Sequence, residues 1–286
     1  MRATDPMSSA AMLTRPIPST GEELPVIGLG TWRAFDVRAG AEHREPLRKV
    51  LKAFLDFGAR VIDTSPMYGQ AEAVTGDLLA ELGAQSRTFL ATKVWTTGRE
   101  SGIEQMRRSV QLLRAEVIDL MQIHNLVDWR THLATLRRMK EEGRVRYIGI
   151  THYTTGALAE LARILRKEAG IDFVQLGYSV TTRAAEAELL PIAADCGVAV
   201  IANQPLERGH LVGRVRGRPL PDWVRDFDCT SWAQLFLKYI LAEPAVTCVI
   251  PATGDPEHMK DNLAAGFGRL PDAGQRHQIR RLCDTL

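Results

Sequence analysis

The sequence predicts an α/β fold, a (β/α)8 TIM barrel with an N-terminal β-hairpin and a C-terminal helix. Three observations predict it. Short apolar, β-branched runs alternate with stretches of helical periodicity from about residue 26 onward. There are eight such runs. The polar residues that end them recur at a steady interval: Asp63, Lys93 and His124 stand 30 and 31 positions apart, about one strand plus its returning helix. Eight parallel strands alternating with helices close into a barrel. An open doubly wound sheet is the alternative, but it needs no eight units at one rhythm. The 286 residues suit one barrel domain, with residues 1–11 expected to be disordered or trimmed.

Residues 12–26 read as a hairpin about the turn cluster Ser19-Thr20-Gly21-Glu22. Residues 26–30 are the first barrel strand. Gly28-x-Gly30 lacks the third glycine of a dinucleotide fingerprint, since Arg33 stands there. Glycines in a strand mark close backbone approach or tight curvature instead. Leu47, Val50, Leu51 and Phe54 fall at helical spacing within 43–57, which Gly58 stops. The strand ending at Asp63 precedes a helix over 71–82, strand 89–93 a helix near 101–114, and strand 118–124 a helix near 130–142. Strands follow at 145–151, 172–176, 198–202 and 246–250, with helices at 155–168, 184–196 and about 230–242. Helices from Pro256 to about 265 and near 273–285 end the chain. The stretch 203–229 holds Pro205, Gly209, Gly213, Gly217, Pro219 and Pro221. It reads as a long loop over the barrel mouth. Its arginines Arg208, Arg214, Arg216, Arg218 and Arg225 read as a solvated face, with a ligand clamp as the alternative.

A net charge of +2 gives no reason to expect nucleic acid or an anionic membrane surface as partner. No apolar run reaches membrane-spanning length. Cys196, Cys229, Cys248 and Cys283 show neither C-x-x-C nor zinc spacing, so buried free thiols and no metal are expected. The expected location is cytoplasmic, with a trimmed export signal left open. The expected state is a monomer or weak oligomer.

In a barrel the C-terminal strand ends build the active site. That puts Asp63, Lys93, His124, Thr151, His152 and Gln175 around one mouth, with Tyr68 just above Asp63. Singly, each has a plainer reading: a turn cap, a surface lysine, a satisfied core histidine, loop packing. Together they suit proton transfer. A free tyrosine has a pKa of ~10, and lowering it by ~2 units takes about 2.7 kcal/mol. An ammonium ~4 Å from the phenol oxygen supplies about 4 kcal/mol at an effective dielectric of ~20. Asp63 beside Lys93 opposes its discharge by burial. His124 adds a hydrogen bond to the substrate oxygen. The set suits protonating a carbonyl oxygen while the carbon receives hydride. No side chain donates hydride, so a nicotinamide cofactor is required.

The sequence resembles the aldo-keto reductase family. The resemblance is carried by Gly28-Leu29-Gly30-Thr31-Trp32, by Val61-Ile62-Asp63-Thr64 with Tyr68-Gly69, and by Ala91-Thr92-Lys93-Val94-Trp95. It continues through Asp119-Leu120-Met121-Gln122-Ile123-His124, Arg146-Tyr147-Ile148-Gly149-Ile150-Thr151, and Ile250-Pro251-Ala252-Thr253 with Asp261-Asn262. It implies a TIM barrel, a nicotinamide cofactor bound extended without a Rossmann domain, and Asp63, Tyr68, Lys93 and His124 as catalytic residues. Tyr68 would be the general acid. It implies Thr151, His152 and Gln175 at the nicotinamide carboxamide, although the family usually has Ser-Asn at the first two. Asn203 stands where an aromatic residue often stacks on the nicotinamide. Thr31, Trp32, Pro205, Leu206, Pro251, Thr253, His258, Asp261 and Asn262 complete the implied cofactor contacts. Trp32, Trp95 and Trp129 would line the substrate mouth, with ordinary packing as the plainer reading. Asp255 and Pro256 read as a helix start, where barrels hold phosphate. The cations common in NADPH-preferring members are missing at Ala252 and His258, which leaves NADH possible; the resemblance by itself implies NADPH. A short loop after His124 and the lack of a long tail suggest an open pocket and loose substrate choice.

Three readings follow. The first is a reductase of small-molecule aldehydes or ketones. The second is a non-catalytic nicotinamide-binding sensor or partner subunit. The third is a lyase or isomerase using Lys93 as a Schiff-base amine.

Overall fold

The structure, a computed structural model, describes residues 11–38 and 40–286. The expectation for residues 1–11 lies, Ala11 apart, outside them. An antiparallel hairpin, β1 (Thr14–Pro16) and β2 (Glu23–Pro25), leads into eight parallel strands. These are β3 (Leu29–Gly30), β4 (Val61–Asp63), β5 (Phe89–Val94), β6 (Ile118–Ile123), β7 (Val145–His152), β8 (Phe173–Gly177), β9 (Ala199–Asn203) and β10 (Cys248–Val249). Each pairs with its neighbours in chain order. Parallel bridges from Ile27 to Val249 and from Gly30 to Ala252 bring the last strand against the first. The sheet is thus rolled up, and the open doubly wound alternative is set aside.

The helices alternate with the strands as the periodicity requires. They are α1 (Ala41–Asp56), α2 (Ala71–Glu81), α3 (Arg99–Leu113), α4 (Trp129–Glu141), α5 (Leu158–Lys167), α6 (Leu189–Asp195), α7 (His210–Arg214), α8 (Trp232–Leu241), α9 (Pro256–Ala264) and α10 (Ala273–Cys283).

Period-2 alternation divides the strand side chains between two apolar compartments. On β5, Phe89 and Ala91 point into the barrel, while Leu90 and Val94 join the layer beneath the helices. The interior compartment is filled by Val61, Phe89, Leu120, Tyr147, Phe173 and Ile201 among others. Ile17 and Leu24 of the hairpin join it and plug the end away from the strand C-termini. The barrel is therefore solid below, and open space is left only toward the strand C-termini.

The structure departs from the sequence expectations in four places. The strands expected at 26–30 and 246–250 shrink to two residues each, and single bridges at Ile27 and Gly30 carry the closure between them. A Cβ at Gly28 would lie 2.8 Å from the Val61 carbonyl oxygen, so the bare backbone is what permits this approach. The helices expected over 155–168 and 184–196 open as 3-10 turns before α5 and α6. The stretch 203–229 is not a loop throughout. It ends β9, then forms a 3-10 turn at Glu207–Gly209, α7, and a second 3-10 turn at Asp222–Phe227. Leu211, Val224 and Phe227 are buried and pin it to the barrel. All four cysteines are unpaired, but Cys196 is exposed, against the expectation that all would be buried. No helix among the described residues is long and apolar enough to cross a membrane.

Candidate active site

At the C-terminal mouth, four strands each deliver one polar side chain inward. Asp63 ends β4, Lys93 lies near the end of β5, Gln122 lies on β6 and Gln175 on β8. They meet on one carboxylate. Lys93 Nζ donates to Asp63 Oδ2 at 2.7 Å. Gln122 Nε2 and Gln175 Nε2 donate to Asp63 Oδ1 at 3.0 and 2.8 Å. Lys93 also donates to the Thr64 carbonyl at 2.7 Å. Both members of the ion pair are buried, Lys93 completely. Such a pair persists only when its remaining hydrogen-bonding capacity is met, which the two glutamines and the Thr64 carbonyl accomplish.

Tyr68 sits above this pair, on the turn after β4. The Lys93 ammonium is 5.2 Å from the centre of its ring. Burial works against the charge on Lys93. Asp63 and Tyr68 outweigh it, so the lysine pKa is raised and the ammonium stays charged. Tyr68 behaves differently from the sequence expectation. Burial raises its pKa first, Lys93 lowers it, Asp63 raises it again, and the net direction is upward. The lysine alone would lower the value, but the cost of a phenolate in a dry site outweighs it. The resting phenol therefore keeps its proton.

His124, in the turn after β6, faces Tyr68 edge-on at 5.8 Å between ring centres. Burial, then Lys93, then His152 push its pKa down to about 3. It is a neutral imidazole, a hydrogen-bonding group rather than a charge. Its Nδ1 lies 2.9 Å from the Ser65 hydroxyl.

These groups open onto a cavity of about 720 Å³ that runs from His124 and Tyr68 to His258, Asp261 and Asn262 of α9. Thr31, Trp32, Thr151, Gln175, Asn203, Pro205, Leu206, Pro251 and Thr253 line it between these ends. An elongated ligand with one reactive end fits such a trough. Asn203 adds a specific feature. Its Nδ2 donates to Gln175 Oε1 at 3.2 Å, while its buried Oδ1 has no hydrogen-bond partner among the described residues.

The model of the Aldo/keto reductase family matches residues 26–277. The chain belongs to the aldo/keto reductase family. Membership places it among the NAD(P)H-dependent oxidoreductases. It is 29% identical over 214 residues to an aldo-keto reductase of Bacillus subtilis, covering 70% of this chain and 63% of that one. It is 26% identical over 318 residues to the NADH-specific methylglyoxal reductase of Escherichia coli, covering 90% of this chain and 94% of that one. An aldo-keto reductase of Klebsiella pneumoniae solved with NADPH superposes at a TM-score of 0.78, with 26% identity and 95% of each chain covered.

Within this aldo/keto reductase, some residues expected at the site lie elsewhere. Trp129 begins α4 and is buried in the helical layer, with Arg130 and Arg163 over its ring, so it is no wall of the mouth. Trp95 stands 6.5 Å from His124 but is exposed and lies outside the cavity lining. His152 is turned toward its own loop, where Nδ1 meets the Thr154 hydroxyl at 3.1 Å, and it does not line the cavity. Its neighbour Tyr153 does, as do Met67, Val212 and Trp232. Arg208, exposed as expected, also lines the cavity and lies 4.7 Å from the Trp32 ring centre.

Two further polar residues, Gln122 and Ser65, belong to the site. Gln122 lies on β6 two positions before His124, and the inward alternation of that strand points to it. Ser65 carried no signal, because its partner lies 59 positions away.

At the far end, Asp255 caps α9 as expected, accepting from the Glu257 and His258 backbone N–H groups at 2.8 and 3.4 Å. Those donors, which a phosphate would otherwise use, are engaged by a carboxylate.

Proposed function

We propose that the protein reduces aldehydes or ketones, with Tyr68 as the general acid. The observation that supports this most is the Lys93 ammonium held between the Asp63 carboxylate and the Tyr68 ring. A nicotinamide cofactor, when bound, would supply the hydride to the carbonyl carbon; the chain's own residues handle the oxygen. Tyr68 rests protonated and so is loaded with the proton to be given. As that proton leaves for the carbonyl oxygen, the adjacent ammonium stabilises the phenolate that forms, which is where the electrostatic gain falls. Asp63 holds the ammonium in place and charged. His124, neutral, donates a hydrogen bond to the same oxygen. Lys93 is a poor Schiff-base nucleophile here, because its amine is fully buried, cationic and engaged by Asp63 and Thr64. That weighs against the lyase reading.

Trp32, Met67, Tyr153 and Val212 form a mostly apolar rim around the reacting end, suited to small or medium aldehydes. Two Escherichia coli relatives are named as methylglyoxal reductases, which makes 2-oxoaldehydes the first substrates to try. The cofactor proposed is NADPH, with NADH close behind. Ala252 and His258 supply no permanent cation at the nucleotide end, and Asp255 adds a negative charge. The departures at His152 and Asn203 favour the second reading, a cofactor-binding sensor. Stopped-flow mixing of the NADPH-loaded protein with methylglyoxal, aliphatic and aromatic aldehydes separates the two. Reductase action gives cofactor oxidation with at least one of them. No oxidation with any would support the sensor.

A further inference from the structure

Ser65 lies two residues beyond Asp63 and is fully buried. Its carbonyl accepts from the Tyr68 N–H at 3.0 Å, and its Oγ accepts from the Met67 N–H at 3.3 Å. A hydroxyl carries one proton to donate as well as lone pairs to accept. Among the described residues, the acceptor within reach of that proton is His124 Nδ1, at 2.9 Å. The opposite arrangement, Nδ1–H donating to Oγ, leaves the buried hydroxyl proton without an acceptor. It also leaves Nε2 bare, a lone pair turned toward any carbonyl oxygen that enters. A buried donor left unmade costs more than a made bond gains, so the two tautomers are far from equal here. A neutral imidazole carries one N–H, and the hydrogen bond at one nitrogen decides where it sits.

We propose that Ser65 is a positioning residue for His124: its hydroxyl donates to Nδ1 and thereby fixes the imidazole proton on Nε2, facing the cavity. In the same turn, its carbonyl fixes the backbone of Tyr68. One buried serine thus sets both hydrogen-bond donors that converge on the substrate oxygen. This role in reaction rests on the reductase reading above; the tautomer itself does not, and can be measured without substrate or cofactor.

The test is nitrogen NMR on the full chain labelled with 15N-histidine, with His124→Gln used to assign the His124 signals. The expected result is a protonated, pyrrole-like Nε2 and an unprotonated, pyridine-like Nδ1. In Ser65→Ala the two forms should mix, and the steady-state kcat/KM for an aldehyde should fall about 10-fold, the worth of roughly one hydrogen bond. Ser65→Thr, which keeps the hydroxyl, should restore the wild-type nitrogen shifts and most of the rate. A wild-type spectrum with the proton on Nδ1 overturns the proposal. So does Ser65→Ala with unchanged nitrogen shifts and unchanged kcat/KM. Failure of every aldehyde to oxidise the cofactor would remove the reductase reading while leaving the tautomer result standing.

Discussion

Removing the Tyr68 hydroxyl leaves its ring in place over Lys93 and takes away only the transferable proton. Tyr68→Phe is therefore expected to bind NADPH as the parent does and to lose at least about 10²-fold in turnover, the lower end for general acid catalysis. Cofactor fluorescence titration and steady-state kinetics check the two halves separately. His124 gives a second prediction, on stability. Its folded pKa of about 3 lies below the ordinary 6.5. Between those values the unfolded chain takes up a proton that the folded chain refuses. Stability from this group is full above pH 6.5 and falls as the pH drops toward 3, by about 2 kcal/mol at pH 5. Urea midpoints of His124→Gln should decline less steeply than the parent's across that acid window. Sequence reasoning could place Asp63, Lys93 and His124 because strand rhythm fixes which residues share a rim. It could not give the direction of the Tyr68 shift, since that depends on burial depth, a property of the assembled mouth. Trp129 shows the same boundary. Its chemistry suited a wall, but the first turn of α4 aims it into the helical layer.

Helix α2 meets α3 at Gly76. A Cβ there would lie 2.1 Å from the Leu112 carbonyl oxygen and 2.8 Å from the Leu113 backbone. Two effects compete in Gly76→Ala. Alanine favours the helix by about 1 kcal/mol, and overpacking costs about 1–3 kcal/mol or more when backbone must move. The clash is with backbone rather than a flexible side-chain end, so overpacking should win. Net destabilisation of about 1–2 kcal/mol is expected in urea unfolding; a stabilised variant would show that the two helices are further apart than described. Elements of this kind were legible in outline, because helical spacing and terminal glycines mark them. The stretch 203–229 was not. Its glycines and prolines announce a loop, while the short helical turns are held by Leu211, Val224 and Phe227, which lack any regular period.

For the whole molecule, the trough proposed to take the cofactor runs from β4 across the mouth to α9, so filling it would tie together both halves of the ring. NADPH at a hundred times its dissociation constant should add about 2.7 kcal/mol to stability. Thermal unfolding with NADPH and with NADH should then show rises that differ little between the two, since Ala252, Asp255 and His258 provide no permanent cation for the extra phosphate. A large rise with NADPH alone would assign that phosphate a cation elsewhere, with Arg208 the first to replace. The ring itself was the most legible level, because eight strands alternating with helices admit few closed arrangements.

The carboxylate of Asp63 joins β4, β5, β6 and β8 through Lys93, Gln122 and Gln175. Hoop and proposed reaction centre are consequently the same knot. An engineer who rewrites Gln175 to welcome a different coenzyme also loosens a stave of the barrel and slackens the tether on the lysine. Changes there must come in matched sets, which makes this corner of the protein the hardest to redesign one letter at a time.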